Sequence, residues 1–428
     1  MEGFNEKEGQ LYVDDLPISE IADKYSTPAF IYSASLIRNN YNKYANALTE
    51  GDLICYAVKA NSNIHILKEL VKLGSGFDVV SGNELKRCIK AGADPKKIVF
   101  SGVAKSAEDI EQAINEGILS INIESEDEFD RIVNISKALD KKVQCSIRIN
   151  PDIPTGSHKY IETGLKTSKF GVDTETLSII SSKAKTTPLI KLSGIACHIG
   201  SQISDNSLIM KSLEHLLEAH KLLTNDGHEI NFLDIGGGLG ITYKEEDPGD
   251  PESLIAEISN EIRALNLNIV LEPGRSITGK AGVLIAKVEY LKLTEYKNFA
   301  IIDAGMNDLM RPALYDAWHT VKEIQKSDSD KRIYELVGPV CESADVLAKD
   351  RELVVAQGDL IAFMDAGAYG SVMSSNYNSR LKAPEILVHG SSSKLIIHRS
   401  QQCLQKNIPD LPRRRSSHLL QLLSGSAW

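Results

Sequence analysis

The stretch ICYAVKANSNIHILKELVKL, residues 54–73, reads as one β-strand followed by one α-helix. Ile54–Lys59 is apolar up to its last residues, the pattern of a short strand buried on both faces. Ile64–Leu73 then carries apolar residues at helical spacing. The same unit recurs down the chain. Further strands are expected at Phe77–Val80, Ile98–Ser101, Ser120–Glu124, Gln144–Asn150, Gly194–Ile199, Phe232–Ile235 and Asn268–Leu271. Helical patterns fall between them. Ser106–Glu116 opens on a Ser106 cap, with Asp109 near the capping-box offset, and stops at Gly117. Asn206–Leu223 carries Leu213, Leu216, Leu217 and Leu222, and Pro251–Leu265 starts with a first-turn proline.

Eight strand–helix alternations in about 250 residues predict an α/β fold, a (β/α)8 TIM-like barrel over residues 26–280. The competing open doubly wound sheet normally has fewer strands. Beyond Arg275 the texture turns to β-like runs: Gly282–Leu293, Phe299–Asp303, Ile333–Val337, Asp359–Met364 and Glu385–His389. A second, mainly β domain, sandwich- or barrel-like, is therefore expected from residues 1–25 together with 281–390. Residues 391–428 break the pattern. They hold eight serines, Arg413 to Arg415 in a row, and Asp410 as their one acidic residue. A non-native extension or an out-of-frame reading is expected there.

The 428 residues can bury a core without disulfide or metal staples. A net charge of −10 argues against nucleic acid or an anionic membrane as partner. No apolar run approaches the ~20 residues a bilayer span needs. MEGFNEKEGQ at the N-terminus lacks the apolar core of a signal peptide, so a cytoplasmic location is expected. Cys55, Cys88, Cys145, Cys197, Cys341 and Cys403 show no CxxC pair and no zinc spacing. Free, mostly buried thiols and no bound metal are the expectation.

Barrel active sites lie at the C-terminal ends of the strands, where this sequence concentrates unusual residues. Lys59 ends the first strand and Asp78 lies in the second. Arg148 and Asn150 end the fifth, and His198 the sixth. Gly236, Gly237 and Gly238 follow the seventh, and Glu272, Gly274 and Arg275 the eighth. An isolated strand lysine more often snorkels to a surface. At a barrel mouth among Ala57, Val58 and Ala60, desolvation would lower its pKa and make it an amine nucleophile. Consecutive glycines expose backbone N–H groups to an anion, and loops seven and eight are common phosphate sites. A phosphate opposite a lysine suggests pyridoxal phosphate, with Glu272 on the pyridine nitrogen. Alternatively Glu272 is a helix-end charge or ion-pair partner, and His198 a satisfied core histidine. In the second domain, GPVCESAD (338–345) reads as a site loop, although texture alone favours Cys341 as a buried thiol. Tyr369, between Gly367 and Gly370, lies in an aperiodic segment typical of binding loops.

These motifs together resemble the fold-type III pyridoxal-phosphate decarboxylases, most nearly the diaminopimelate decarboxylases among them. The resemblance rests on YAVKAN (56–61), FDVVSGNEL (77–85), the Asn150–Val172 stretch, CHIGSQI (197–203), LDIGGGLGI (233–241), EPGR (272–275), VCESAD (340–345) and DAGAYGSVMSSNYNSR (365–380). TGLKTSKFGV and VCESAD favour that branch over the ornithine, arginine or carboxynorspermidine types. The resemblance implies decarboxylation of meso-2,6-diaminopimelate to L-lysine, the last step of lysine biosynthesis. It implies Lys59 as the cofactor-bearing lysine, His198 stacked on the ring and Glu272 at the ring nitrogen. Asp78 falls in the cofactor site; Ser201, Gly238 and the backbone from Glu272 through Gly274 to Arg275 would hold the phosphate, and Tyr369 would touch cofactor and substrate. Arg275, Arg311 and Tyr315 would bind the distal end of the amino-acid substrate. Cys341 as proton donor and Glu342 as substrate ligand would reach the neighbouring site of a homodimer. A racemase of this barrel type would place an arginine at the position of Glu272. A non-catalytic relative would not need Lys59, Cys341 and Glu342.

Overall fold

The computed structural model describes residues 3–154, 163–165, 167–326 and 328–399. Parts of the Asn150–Val172 motif, Cys403 and the chain from 400 onward lie outside them.

Eight parallel strands close a barrel: Leu53–Ala57, Gly76–Val79, Ile98–Phe100, Ser120–Ile123, Val143–Ile149, Ile190–Cys197, Phe232–Asp234 and Asn268–Leu271. Closure is made where the eighth strand meets the first, Leu271 opposite Ile54. Every residue of the second, third and fourth strands is buried, which explains their unbroken apolar runs. The helices between them start on oxygen caps. Ser81, Ser106, Ser125, Asp173, Asp205 and Asp250 each accept a first-turn backbone N–H. The expected helix boundaries shift only at their ends, to Ile64–Lys72, Asn206–Asn225 and Pro251–Arg263.

The first strand stops at Ala57, and Lys59 sits in a single 3-10 turn, Val58–Ala60. That turn lifts the lysine out of the strand and into the barrel mouth.

The second domain is built on a nine-stranded sheet. Its spine, Gly282–Leu293, pairs with Ala29–Ser33, Asn298–Ile302 and Leu360–Phe363. Ala29–Ser33 thus belongs to this sheet, although the sequence reading placed residue 26 onward in the barrel. A small N-terminal sheet, Phe4–Lys7, Gln10–Val13 and Leu16–Pro17, packs against it. Leu11 N donates to Ile324 O at 2.8 Å. Leu11, Val13 and Ile18 bury with Ile285, Ile324 and Ile386. The break expected at residue 391 falls inside a hairpin, because Ser392–Ile397 pairs with Glu385–His389. The turn between them, at Gly390, carries the pattern six residues further than texture suggested.

Two contacts stitch this domain onto the barrel mouth. Asn61 Nδ2 donates to Gly367 O at 3.0 Å, and Tyr369 N donates to Ala60 O at 2.8 Å. Tyr369 is held at φ 56°, the left-handed region that a non-glycine residue occupies only when its surroundings enforce it.

Candidate active site

A cavity of about 430 Å³ opens at the C-terminal ends of the barrel strands. Lys59, His198, Ser201, Glu272 and Arg275 line it from the barrel, and Arg311, Tyr315 and Tyr369 from the β domain. Ser101, Arg148 and Phe170 complete much of its wall. Asp78, Gly238 and Gly274 are not part of the lining, although Asp78 meets Lys59 directly.

Lys59 Nζ donates to Asp78 Oδ2 at 2.6 Å. Burial alone would lower the lysine pKa, but Asp78, then Glu272, outweigh it and raise the pKa well above the ordinary range. The expected depressed lysine is therefore corrected: strand-end carboxylates hold Lys59 as an ammonium. Its counter-charges come from neighbouring strands that local sequence does not juxtapose.

Glu272 is buried and accepts a long hydrogen bond, 3.4 Å, from Ser101 Oγ. Burial, then Asp234, pushes the Glu272 carboxyl well above its usual range. Burial likewise raises Asp234 to about 7. Two buried carboxyls this close favour the protonated form over a second negative charge. Asp234 was not singled out in the sequence, although a carboxylate ending an apolar strand before three glycines was a legible signal.

His198 Nδ1 accepts the Gly237 N–H at 3.2 Å, so its Nε2 carries the proton. Burial, then Lys59 and Arg148, holds its pKa well below the usual histidine value. The ring is a neutral, flat wall of the cavity. Beneath it the glycines are sterically required. A Cβ on Gly237 would lie 2.0 Å from Glu272 O, and one on Gly238, at φ +102°, 2.4 Å from Gly200 O.

Arg275 donates from Nε and Nη2 to Ser201 Oγ at 3.3 and 3.0 Å, and from Nη1 to Tyr243 OH at 2.8 Å. Its guanidinium stacks over Tyr369, 4.8 Å from the ring centre. Arg311 stacks over Tyr243 at 4.5 Å and donates from Nη1 to His319 Nε2 at 2.9 Å. Neither buried arginine forms an ion pair with a carboxylate among the described residues. Arg311 Nε has no hydrogen-bond acceptor there. Buried, uncompensated cations are costly and mark a place for an anion.

Cys341 and Glu342 do not join this cavity. Both are exposed on the second domain. Cys341 N donates to Asn378 Oδ1 at 3.0 Å, and Tyr377 OH donates to Glu342 at 2.5 Å. The buried-thiol alternative for Cys341 is thus corrected, while Cys55, Cys88, Cys145 and Cys197 are buried.

Comparison with known proteins follows the same lines. Residues 34–279 match the pyridoxal binding domain of the pyridoxal-dependent decarboxylases. The diaminopimelate decarboxylase of Pseudomonas aeruginosa is 45% identical over 394 residues, 92% of this chain and 95% of that protein. The chain belongs to the diaminopimelate decarboxylases. Its fold is similar to that of the M. jannaschii diaminopimelate decarboxylase in co-complex with L-lysine, with a TM-score of 0.90 and 35% identity. That likeness covers 95% of this chain and 98% of that one. The Helicobacter pylori diaminopimelate decarboxylase complexed with L-lysine is similar too, at TM-score 0.86 and 41% identity, covering 89% and 96%.

The cofactor of this family is pyridoxal phosphate, and the residues present fit it. Two buried carboxylate oxygens, Asp78 Oδ1 and Asp234 Oδ2, have no hydrogen-bond partner among the described residues. The glycine turn leaves backbone where side chains would otherwise intrude, and the cavity has the size of a small-molecule site. Among the described residues no helix is long and apolar enough to cross a membrane, and no His, Cys, Asp or Glu group is placed to hold a metal.

Proposed function

We propose that this chain releases carbon dioxide from meso-2,6-diaminopimelate to give L-lysine, in cytoplasmic homodimers whose sites are completed across the subunit interface. The observation that carries the substrate assignment is the Arg275–Arg311 pair, two buried guanidiniums that line the Lys59 cavity and form no ion pair with a carboxylate among the described residues. Diaminopimelate has a carboxylate at its non-reacting end for them to grip. Ornithine and arginine do not, and would leave those charges unpaired.

Pyridoxal phosphate, when bound, supplies an electron-accepting ring for the breaking carbon–carboxylate bond. Lys59 Nζ is the attachment point, and Asp78 holds its proton until the cofactor is engaged. Ser201, Gly238 and the backbone from Glu272 through Gly274 to Arg275 would hold the phosphate. Neutral His198 covers one face of the site without adding charge. Glu272 would pair with the ring nitrogen and keep it protonated. Arg275, Arg311 and Tyr315 orient the distal carboxylate, and Tyr369 closes the cavity from the second domain. Cys341 Sγ of the adjoining subunit gives the proton to the reacting carbon, while Glu342 of that subunit meets the distal amine. Their exposure outside this chain's own cavity supports that arrangement.

Carbon dioxide release from meso-diaminopimelate, ornithine, arginine and carboxynorspermidine tests the assignment. Turnover confined to diaminopimelate is expected. Faster release from any of the others would overturn it.

A further inference from the structure

His319 is fully buried, belongs to no motif and is not part of the cavity lining. Its Nδ1 lies 2.7 Å from Met364 O, which can only accept, so Nδ1 carries the ring proton. Its Nε2 lies 2.9 Å from Arg311 Nη1, which can only donate, so Nε2 offers its lone pair. Both hydrogen bonds require the neutral ring, and burial followed by the nearby Arg311 charge holds the pKa down at about 3. Tyr243 completes the support. It lies edge-on to His319 at 5.5 Å, under Arg311 at 4.5 Å, and its OH accepts from Arg275 at 2.8 Å.

The usual way to fix a buried arginine is a carboxylate, which would also cancel its charge. Here Arg311 is fixed by an imidazole lone pair and the aromatic face of Tyr243, whose phenol oxygen holds the neighbouring Arg275, and none of these groups is anionic. We propose that His319, with Tyr243, is a positioning residue that aims Arg311 while leaving its full charge for the substrate's distal carboxylate. It thereby sets selectivity for amino acids that carry that group. This inference rests on the proposed distal grip. It goes further by placing the determinant in a residue that does not touch substrate.

Two variants separate the two faces of the ring. His319→Asn keeps an amide N–H near the Nδ1 position for Met364 O but withdraws the acceptor from Arg311. His319→Gln can present its Oε1 near the Nε2 position and restore that acceptor. The holoenzyme is assayed for kcat and KM with diaminopimelate. Inhibition is measured with L-lysine, which retains the distal carboxylate, and with 1,5-diaminopentane, which lacks it. For His319→Asn, KM and the lysine inhibition constant should rise about tenfold, with kcat, cofactor affinity and diaminopentane inhibition little changed. His319→Gln should recover most of the loss. If both variants behave alike, or if lysine and diaminopentane inhibition change together, His319 is only a packing residue and the proposal is overturned. If the unaltered enzyme itself does not distinguish lysine from diaminopentane, the distal-carboxylate reading fails first, and with it this inference.

Discussion

Lys59 Nζ and Asp78 Oδ2 are 2.6 Å apart, joining a 3-10 turn after the first barrel strand to the interior of the second. Asp78 is fully buried and its other oxygen has no hydrogen-bond partner among the described residues, so the lysine is its main compensation. The pair stores the lysine as an ammonium, and the amine form needed for cofactor attachment is therefore scarce at neutral pH.

Covalent attachment of pyridoxal phosphate should speed up as pH rises, because the reacting form is deprotonated Lys59. Asp78→Asn removes the main opposing charge, so its attachment profile should move to lower pH by about one unit or more. Attachment rate against pH, followed by absorbance on cofactor-free protein, measures the shift. Coincident profiles would show that Asp78 does not govern the lysine.

Arg311→Ala should weaken substrate binding far more than cofactor binding. Loss of one charge-assisted contact costs about 1.5–3 kcal/mol, roughly a ten- to hundredfold rise in KM. Cofactor affinity, by fluorescence titration, should stay within about twofold. Equal loss of both affinities would make Arg311 structural.

The Asp234 carboxyl is raised by burial from 3.8 to about 7. Between those values the folded chain binds a proton that the unfolded chain has released, so stability falls as pH rises from about 4 to about 7. Asp234→Asn cannot ionise, yet keeps its Oδ1 for the Gly236 N–H. On cofactor-free protein the Tm of the variant relative to the parent should therefore be higher at pH 8 than at pH 5. A difference that does not change with pH would mean Asp234 titrates normally.

Two inactive variants should complement each other if Cys341 serves the neighbouring site. Lys59→Ala and Cys341→Ala chains, co-expressed, give heterodimers with one intact and one doubly defective site. Random pairing makes half the dimers mixed, so about a quarter of parental activity should return. No recovery, with heterodimers confirmed by mass spectrometry, would place Cys341 in its own chain's chemistry or outside it.

The barrel was legible because each strand is short, buried on both faces and followed directly by a capped helix, all local properties. Charged or glycine residues closing such strands, Lys59, His198, Gly236 to Gly238 and Glu272, stood out for the same reason. Relations across strands were not legible. The lysine's place among apolar neighbours could be read from Ala57 to Ala60, but its partner Asp78 and the nearby Glu272 come from other strands, and they reverse the sign of its shift. Tyr243 and His319 sit outside any motif and meet only because the β domain closes over the barrel mouth. Ser392–Ile397 was missed because its serine- and lysine-rich start lacks strand texture until it pairs with Glu385–His389.

Borohydride reduction of the pyridoxal-phosphate-loaded protein, followed by peptide mass mapping, tests most directly that this cavity is the reaction centre. The reduced cofactor is expected on the peptide containing Lys59, one per chain, with carbon dioxide release from diaminopimelate lost in proportion. Label on another lysine, or retained activity with Lys59 fully modified, would contradict it.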